Sequence, residues 1–285
     1  MAWTEHPKVT ALRRRNRIVD VVVETLDGFR RHLTGRNGAV LTYYGFLTLF
    51  PLFLAATTIL GLLLESRPEW RDDLVGSAVE SVPFIGDQIA DGRIGTSWVA
   101  LAIGLAVALW GSMKAFVGLQ LAYDDTWEIA LDDRAGFVTQ RTRALIGLAV
   151  IGGAQVATVV LASLVGEAGL PWVGQVLLIV GGFAINVGVA AAMYRFLTSA
   201  NTSWSIVWDG AFFTGSLYTV IQMFGTQITA ELGKNRTYGE LGSVLALLTW
   251  LGLHANINLF GAEINAALRR LAPPGGSSVS RRRGR

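Results

Sequence analysis

Residues 40–64 read VLTYYGFLTLFPLFLAATTILGLLL, a run of 25 residues without a charged side chain. A transmembrane helix needs about 20 apolar residues to cross the hydrocarbon core of a bilayer. Five more uncharged runs follow in the 285-residue chain: Ser97–Met113 (continuing past Lys114 to Ala122), Ala144–Val165, Pro171–Tyr194, Gly210–Ala230 and Leu241–Ala262. The six runs predict an all-α, polytopic membrane helix bundle with six transmembrane helices, which are numbered spans 1 to 6 in chain order.

The composition indicates the same class of protein. The chain is 52% hydrophobic and 16% charged, and its mean hydropathy is +0.45, a balance typical of membrane proteins. It contains no cysteine, which excludes disulfides, thiolate metal sites and cysteine nucleophiles. The first 39 residues lack the apolar segment of a cleavable signal peptide, so we expect span 1 to remain in the protein.

The distribution of positive charge predicts the orientation in the membrane. The segments before span 1, between spans 2 and 3, between spans 4 and 5 and after span 6 contain 18 Lys and Arg residues, whereas the other three loops contain 5. Cytoplasmic segments retain Lys and Arg, so both termini are predicted to be cytoplasmic. The basic excess then faces lipid, and we expect membrane lipids rather than nucleic acid as partners.

Three regions follow from this reading. Residues 1–39 form a cytoplasmic N-terminal segment, 40–270 the six-helix transmembrane domain, and 271–285 a disordered basic cytoplasmic tail that we expect to be attracted to anionic lipid of the inner leaflet. Apolar residues recur at helical spacing over 9–33 and predict an amphipathic helix. Two interpretations stay open for it: a helix lying along the inner leaflet, or one packed on the loop between spans 2 and 3.

Residues 65–96 form the largest external loop. Trp70, Leu74, Ala78 and Val82 repeat every four residues there and predict a short external helix. That helix could lie on the bundle or act as a lid over a cavity.

Small residues recur every fourth position in spans 2 to 4, as in Ala149–Gly153–Ala157 and Ala184–Gly188–Ala192. Such stripes let helix backbones approach closely in lipid, so they predict a compact bundle. Pro51 lies in the middle of span 1 and is expected to kink that helix, because it frees the carbonyl four residues earlier.

Spans 1 and 6 carry a recognisable pattern. Span 1 includes AVLTYYGFLTLFPLFLAA, and span 6 begins at TYGELGSVLALLTW and ends in GAEINAAL. These stretches resemble the YihY/BrkB family of bacterial inner-membrane proteins at Tyr44, Thr48, Phe50, Pro51, Tyr238, Gly239, Leu241, Gly242, Gly261, Ala262, Glu263 and Asn265. The resemblance covers nearly the whole chain. It implies a multi-pass protein of the bacterial plasma (inner) membrane, with six spans and both termini inside.

Members of that family were once labelled ribonuclease BN, and the residues of this chain argue against such an activity. The chain has only three histidines, His6, His32 and His254, and no clustered His/Asp motif. It also has no phosphate-binding glycine loop, nucleophile elbow or zinc-ligand spacing. We therefore expect no enzyme activity, no cofactor and no metal. The sequence departs from the family pattern at Lys114, His254, Asn256 and Asn258.

Ionisable groups inside spans are costly and therefore mark candidate sites. Lys114, Asp209 and Glu263 fall in one depth layer near the cytoplasmic side, where ion pairs could form. Lys114 could instead extend to the interface, or bind a substrate or proton. On span 6, a rotation of 100° per residue places His254, Asn258 and Asn265 on one face.

That polar face has two interpretations, because it could line a wet cavity or hold helices together by hydrogen bonds. We expect it to face the bundle interior, opposite span 1 near Pro51 or the glutamines of span 5. Asn186, Gln222 and Gln227 are the expected partners. The candidates for a substrate or ion pathway are Lys114, Asp209, His254, Asn258, Glu263 and Asn265.

The carboxylate pairs Asp124/Asp125 and Asp132/Asp133 lie next to arginines in the loop after span 2. A solvated loop explains them better than a cation site.

Three functions compete. A transporter of a lipid or other envelope component is favoured by the kinked span 1, the polar span 6 and the buried charges. A non-transporting envelope scaffold or assembly protein is the alternative, and an intramembrane enzyme is the least supported. The sequence leaves self-association open.

Overall fold

The computed structural model describes residues 6–49, 98–167, 171–234 and 239–272, and their regular structure is helical throughout. The helices are α1 Pro7–Arg15, α2 Arg17–Arg31, α3 34–49, α4 Trp98–Thr126, α5 Phe137–Glu167, α6 Pro171–Phe196, α7 Trp204–Lys234 and α8 Gly239–Arg270. A short 3-10 helix, Leu131–Asp133, lies between α4 and α5. The predicted all-α class is confirmed for this part of the chain. Pro51, the external loop 65–96 and the tail after residue 272 lie outside the described residues.

Three described helices contain segments long and apolar enough to cross a membrane. These segments are Ala102–Thr126 in α4, Trp172–Phe196 in α6 and Val244–Arg270 in α8. They correspond to spans 2, 4 and 6. Helices α5 and α7 occupy the positions of spans 3 and 5 and have 31 residues each. The count of six spans and the cytoplasmic placement of both termini stay predictions.

Two compact units make up the chain. Residues Met1–Thr42 and Phe116–Arg285 form the first, and Tyr43–Ala115 form the second. Within the first unit, α5 packs on α6, α6 on α7, and α7 on α8, while α2 packs against α8. The helices α5 to α8 therefore each bury one face against a neighbour in the chain.

A close contact between α7 and α8 involves glycines outside the predicted stripes. A Cβ atom on Gly210 of α7 would overlap the carbonyl oxygen of Gly261 on α8. By contrast, a Cβ on Gly153 or Gly188 would meet no neighbouring atom of the described residues within 4 Å. The stripes of spans 3 and 4 therefore do not mark close approach at these glycines. Spacing alone cannot tell which face of an apolar helix meets another helix.

The N-terminal segment forms two helices where the periodicity predicts one. Asn16 separates them, because its backbone is extended (φ −143°, ψ 117°) and its side chain accepts a hydrogen bond from the amide of Ile18, which caps α2. Helix α2 contacts α8, with the rings of Phe29 and Phe260 5.7 Å apart. Ile18 and Val22 stay exposed on α2. The packed interpretation therefore holds for one face, with α8 as an additional partner, and an apolar face remains available for lipid.

Four chain segments meet at one end of the first unit. They are the turn between α2 and α3, the loop 127–136, the turn 197–203 and the C-terminal end of α8. Leu33 in the first of these has a positive φ of 53°, and Glu128 in the second has 54°. We call this end the basic end, because it carries Arg134, Arg143, Arg195, Arg269 and Arg270.

Candidate functional site

Glu263 lies at the centre of a buried polar cluster at the basic end. Its side chain is completely buried, and its Oε1 lies 2.8 Å from Nδ1 of His32 and accepts a 2.9 Å hydrogen bond from Oγ1 of Thr34. Oγ1 of Thr126 lies 3.3 Å from the same oxygen. The αL conformation of Leu33 allows His32 and Thr34, on either side of it, to reach one carboxylate oxygen. The cluster thereby joins α8 to the start of α3 and the end of α4.

Arg270 connects this carboxylate to two more acidic residues. Its Nε donates to Glu24 at 3.1 Å, and its Nη1 lies 3.6 Å from Glu128. Its Nη2 lies 3.7 Å from Oε2 of Glu263. The guanidinium therefore links α2, the loop after α4 and α8 through charge-assisted contacts.

The outer part of the cluster extends to α1. Arg13 donates to Asp20 and, at 3.0 Å, to Glu24. The hydrogen bond that Arg13 donates to Asp20 is the main cause that raises the pKa of Arg13, so this residue stays charged at all physiological pH values. Arg31 lies 3.2 Å from Glu128 and 3.6 Å from Glu24. Four carboxylates thus face three arginines and one histidine.

Three buried atoms of the cluster have no hydrogen-bond partner among the described residues. They are Oε2 of Glu263, Nη2 of Arg270 and Nε2 of His32. Nε2 of His32 faces Glu128 at 3.4 Å without hydrogen-bonding to it. Buried polar atoms in folded proteins are normally hydrogen-bonded, and those that are not require an explanation. In this cluster the unsatisfied atoms belong to groups that can carry charge.

Gly28 makes room for the carboxylate. A Cβ at this position of α2 would lie 2.5 Å from Oε2 of Glu263 and 3.0 Å from Nη2 of Arg270. Any side chain here would therefore push the carboxylate or the guanidinium out of place. The glycine lets the backbone of α2 come directly against the two charged groups.

The polar face of α8 points into the first unit, as predicted. Asn265 is fully buried and accepts a 2.7 Å hydrogen bond from the amide of Gly210 on α7, while its Nδ2 donates to Val207 at 3.2 Å. Asn258 is also buried and accepts a hydrogen bond from the hydroxyl of Tyr123 on α4. Both amides therefore bond to neighbouring helices.

A second tyrosine reaches the same level of α8. The hydroxyl of Tyr194 on α6 lies 2.7 Å from Thr214 on α7 and donates to the carbonyl of Asn258 at 2.6 Å. Its ring packs edge-on against that of Tyr123, with centroids 5.5 Å apart. Four helices, α4, α6, α7 and α8, are joined at this point.

His254 is half-buried farther along the same face. Its Nδ1 lies 2.9 Å from the carbonyl of Trp250, and its ring packs against Tyr218, with centroids 4.8 Å apart. The Tyr218 hydroxyl donates to the carbonyl of His254 at 2.9 Å. Asn186 and Gln222, expected as partners of this face, bond to each other at 2.9 Å instead. Tyrosines and main-chain groups fill the partner role, and hydropathy patterns give no sign of them.

The other two charged candidates lie outside the Glu263 cluster. Lys114 is exposed, and its ammonium lies 5.7 Å from the centre of the Trp110 ring. Asp209 is exposed on α7. The ion-pair partners of Glu263 among the described residues are His32 and Arg270, and the pairing of Lys114 with an acidic side chain at the same depth stays a prediction. Depth along a helix does not fix the face on which a side chain lies.

Asp124 corrects the interpretation of the acidic pairs as a solvated loop. It is 2% exposed and accepts hydrogen bonds from Thr198 and Ser199, including the Ser199 amide at 2.6 Å. Asp125 pairs with Arg134 at 2.8 Å, whereas Asp132 and Asp133 are exposed. The first pair thus fixes the turn 197–203 and the loop after α4. Within the described ranges, no group of three or more acidic or histidine side chains could hold a metal ion.

The comparisons with known proteins agree with the motifs of spans 1 and 6. The family model described as Virulence factor BrkB matches residues 25–283. The chain belongs to the BrkB virulence factor family. The matched range includes Gly28, His32 and Glu263 of the cluster, whereas α1 with Arg13 lies before it.

Relatives of this BrkB-family chain are distant in sequence but similar in length. YfkH of Bacillus subtilis (strain 168), described as ribonuclease-like, is 23% identical over 267 residues, which cover 87% of this chain and 94% of that protein. The inner membrane protein YhjD of Escherichia coli (strain K12) is 23% identical over 274 residues, covering 87% and 80%. No solved structure matches the chain. Family membership and the inner-membrane relative identify the chain as a membrane protein.

Sequence reasoning found Glu263 through the family motif but missed most of its partners. His32, Thr34, Thr126 and Arg270 lie far apart in sequence and in segments read as loops or helix ends. A glycine inside an amphipathic helix was the one available signal, since Gly28 lowers helix propensity without ending α2. Close backbone approach to a charged group explains its presence there.

Proposed function

We propose that this protein transports a lipid or another envelope component across the bacterial inner membrane, and that the Glu263 cluster is its working site. The observation that carries the proposal is that three side chains able to carry charge, Glu263, His32 and Arg270, each have one buried atom without a hydrogen-bond partner among the described residues. Burying a charged group without full compensation costs several kcal/mol, on the order of 3–5 kcal/mol when a pair is broken. A cluster built only for stability would satisfy these atoms.

The arrangement can hold α8 reversibly against the neighbouring helices. Glu263 belongs to α8, whereas its partners belong to the α2–α3 turn and the end of α4. A change in the charge of Glu263 or His32 would weaken the contacts that hold α2 on α8. Switching proteins use such local electrostatic changes to shift an equilibrium between two packed arrangements.

The polar face of α8 supports the same proposal. It continues from Asn265 through Asn258 to His254, with a tyrosine hydroxyl donating to a side-chain or main-chain oxygen of both Asn258 and His254. Rearrangement of these bonds would expose polar groups along one path through the first unit. Polar groups inside membrane bundles commonly mark substrate or ion pathways.

An envelope scaffold is the second candidate, and one observation favours it. Asn265 and the Tyr194 hydroxyl are bonded to protein groups at 2.6–3.2 Å. Such bonds hold helices together and need no passage. A scaffold would then use the basic termini and exposed surfaces for its contacts.

The test is a comparison of strains that lack the gene and carry wild-type, Glu263→Gln or Asp132→Asn copies. We expect lipid and metabolite profiles of the Glu263→Gln strain to match those of the deletion strain, with protein abundance unchanged. Asp132→Asn, which neutralises an exposed carboxylate of the 3-10 helix between α4 and α5, is the control and should restore the wild-type profile.

The scaffold interpretation makes a different prediction. Glu263→Gln protein that is abundant, folded and fully able to restore the wild-type profile would remove the cluster from the transport mechanism. A profile that is identical in deletion and wild-type strains would argue against transport altogether.

A further inference from the structure

A second polar site lies at the basic end, apart from Glu263. A cavity of about 410 Å³ opens between the start of α5 and the turn 197–203. Arg143 and Arg195 contribute its cationic groups, Thr198 and Asn201 its neutral polar groups, and Ile146 and Phe196 its apolar side. This volume falls within the range of ligand pockets, about 300–1,000 Å³.

The two arginines carry charge that no carboxylate of the described residues neutralises. Arg134 and Arg270 at the same end are paired with carboxylates, but neither Arg143 nor Arg195 forms an ion pair within the described part of the chain. Nε of Arg195 is buried and has no hydrogen-bond partner among these residues. Both arginines are half-buried, and positive charge that is partly removed from water without a carboxylate partner favours the binding of an anion.

Asp124, the acidic side chain that bonds to this turn, already accepts hydrogen bonds at both of its oxygens. Both oxygens of Asp124 accept hydrogen bonds from Thr198 or Ser199, and Asp124 is not part of the cavity wall. Arg143 uses only Nη1 on Ser199, at 3.1 Å. The remaining N–H groups of both guanidinium groups are available for an oxyanion, whose geometry a guanidinium matches with two parallel bonds.

The cavity also lies next to the end of a candidate membrane segment. The candidate membrane segment of α6 ends at Phe196, and the ring of Phe196 packs against Trp204, with centroids 5.7 Å apart. Trp208 stacks next to Trp204, and all three rings are partly exposed. Aromatic side chains gather where a membrane protein crosses the headgroup region.

We propose that this cavity binds a phosphate-bearing anion, with Arg143 and Arg195 as the residues that recognise the phosphate. A lipid headgroup and a small soluble phosphate share that chemistry, and the wall formed by Ile146 and Phe196 suits the glycerol and acyl part of a lipid. The site goes beyond the proposed transport function, because it requires neither Glu263 nor movement of a substrate.

The experiment measures binding to the purified full-length protein. Wild type, the double variant Arg143→Gln/Arg195→Gln and the control Arg141→Gln are placed in nanodiscs of phosphatidylcholine with increasing phosphatidylglycerol. Bound phosphatidylglycerol is counted by native mass spectrometry after release. Arg141 lies on the same helix, with its guanidinium 3.4 Å from the centre of the Phe137 ring, and its removal changes the net charge without touching the cavity.

We expect the double variant to bind phosphatidylglycerol at least about tenfold more weakly than wild type, because two charge-assisted contacts are lost. Arg141→Gln should bind as wild type does. Arg195→Lys, which keeps the charge and loses the planar fork, should fall between them and serves if the double variant does not fold.

A parallel arm separates the two sources of phosphate. Inorganic phosphate and glycerol 3-phosphate are added to detergent-purified protein, and the thermal midpoint is measured. If the added phosphates raise the thermal midpoint of wild type but not that of the double variant, the site binds soluble phosphates. If wild type retains phosphatidylglycerol and its midpoint does not change with soluble phosphates, the site binds lipid. Equal binding by wild type and double variant, or an equal loss in Arg141→Gln, would overturn the proposal.

Discussion

A Cβ atom placed on Gly28 of α2 would lie 2.5 Å from Oε2 of Glu263 on α8. An alanine inside an exposed helix normally stabilises it by about 1 kcal/mol relative to glycine. At Gly28 the overlap should reverse that sign and destabilise the protein by about 1–3 kcal/mol. We expect Gly28→Ala to lower the thermal midpoint of the purified protein.

Gly35→Ala is the matched control for this substitution. A Cβ at Gly35 would meet only the ring of Phe29, at 3.6 Å, which is an ordinary contact. Its thermal midpoint should equal or exceed that of wild type. Equal midpoints for Gly28→Ala and wild type would mean that α2 does not press against the carboxylate.

The ion pair between Glu263 and Arg270 can be measured by a double-mutant cycle. Each single variant, Glu263→Gln and Arg270→Gln, removes one charge of a contact 3.7 Å long. We expect a coupling free energy of about 0.5–3 kcal/mol between them. The measurement is the thermal or denaturant midpoint of all four proteins in the same detergent.

Lys114→Gln provides the reference for that cycle. Its ammonium lies next to Trp110, so we expect its effect to add to that of Glu263→Gln within about 0.5 kcal/mol. Strong coupling with Lys114 and none with Arg270 would contradict the ion pairs described above.

The fold class was predictable because bilayer thickness imposes long uncharged runs, which can be read directly from the sequence. The inward orientation of Asn258 and Asn265 was also predictable, because an amide facing lipid without a partner is costly. The hydrogen-bond partners of Glu263 were not predictable. His32 and Glu263 are 231 residues apart, and only the turn at Leu33 and the docking of α2 on α8 bring them together.

The periodicity of the sequence did not predict the packed face of helices that are apolar on all sides. The small-residue stripes with Gly153 and Gly188 have the same spacing as an interface, yet the close approach occurs at Gly210 and Gly261. Helices that are apolar on all sides give no hydrophobic contrast that would mark the packed face. The prediction of a solvated loop at Asp124 was wrong for another reason. Burial of this carboxylate depends on hydrogen-bond donors from the turn 197–203, which is distant in sequence.

Tyr123 should contribute stability through its hydroxyl. Tyr123→Phe leaves the buried Oδ1 of Asn258 without its donor, and the expected cost is about 1–3 kcal/mol. Tyr43→Phe is the control, because Tyr43 is largely exposed and should change little. The measurement is the midpoint of thermal unfolding of each variant and of wild type. A loss in Tyr43→Phe as large as that in Tyr123→Phe would point to a general effect of removing a hydroxyl.

Orientation in the membrane can be tested cleanly because the chain has no cysteine. A cysteine introduced at Ser77 should react with an impermeant maleimide in intact cells, since positive-charge counting places its loop outside. Cysteines at Asn201, which is exposed at the basic end, and at Ser278 should react only after the membrane is opened. The reverse pattern would exclude the predicted topology and place the basic end outside.

The contact between Gly210 and Gly261 should be the least tolerant of substitution. A Cβ on Gly210 would overlap a main-chain oxygen of α8 and lie 2.6 Å from Nδ2 of Asn265. Backbone cannot move aside as a flexible side chain can, so Gly210→Ala must separate α7 from α8 and break the bonds of Asn265. We expect a larger fall in thermal midpoint than for Gly28→Ala, whose Cβ meets the ends of two side chains. Gly188→Ala is the control, because its Cβ would have no neighbouring atom within 4 Å in the part of the chain that the structure describes, and it should unfold at or above the wild-type midpoint. If Gly210→Ala and Gly188→Ala unfold at the same temperature, α7 and α8 do not cross at these glycines, and the inward placement of Asn265 would have to be abandoned with them.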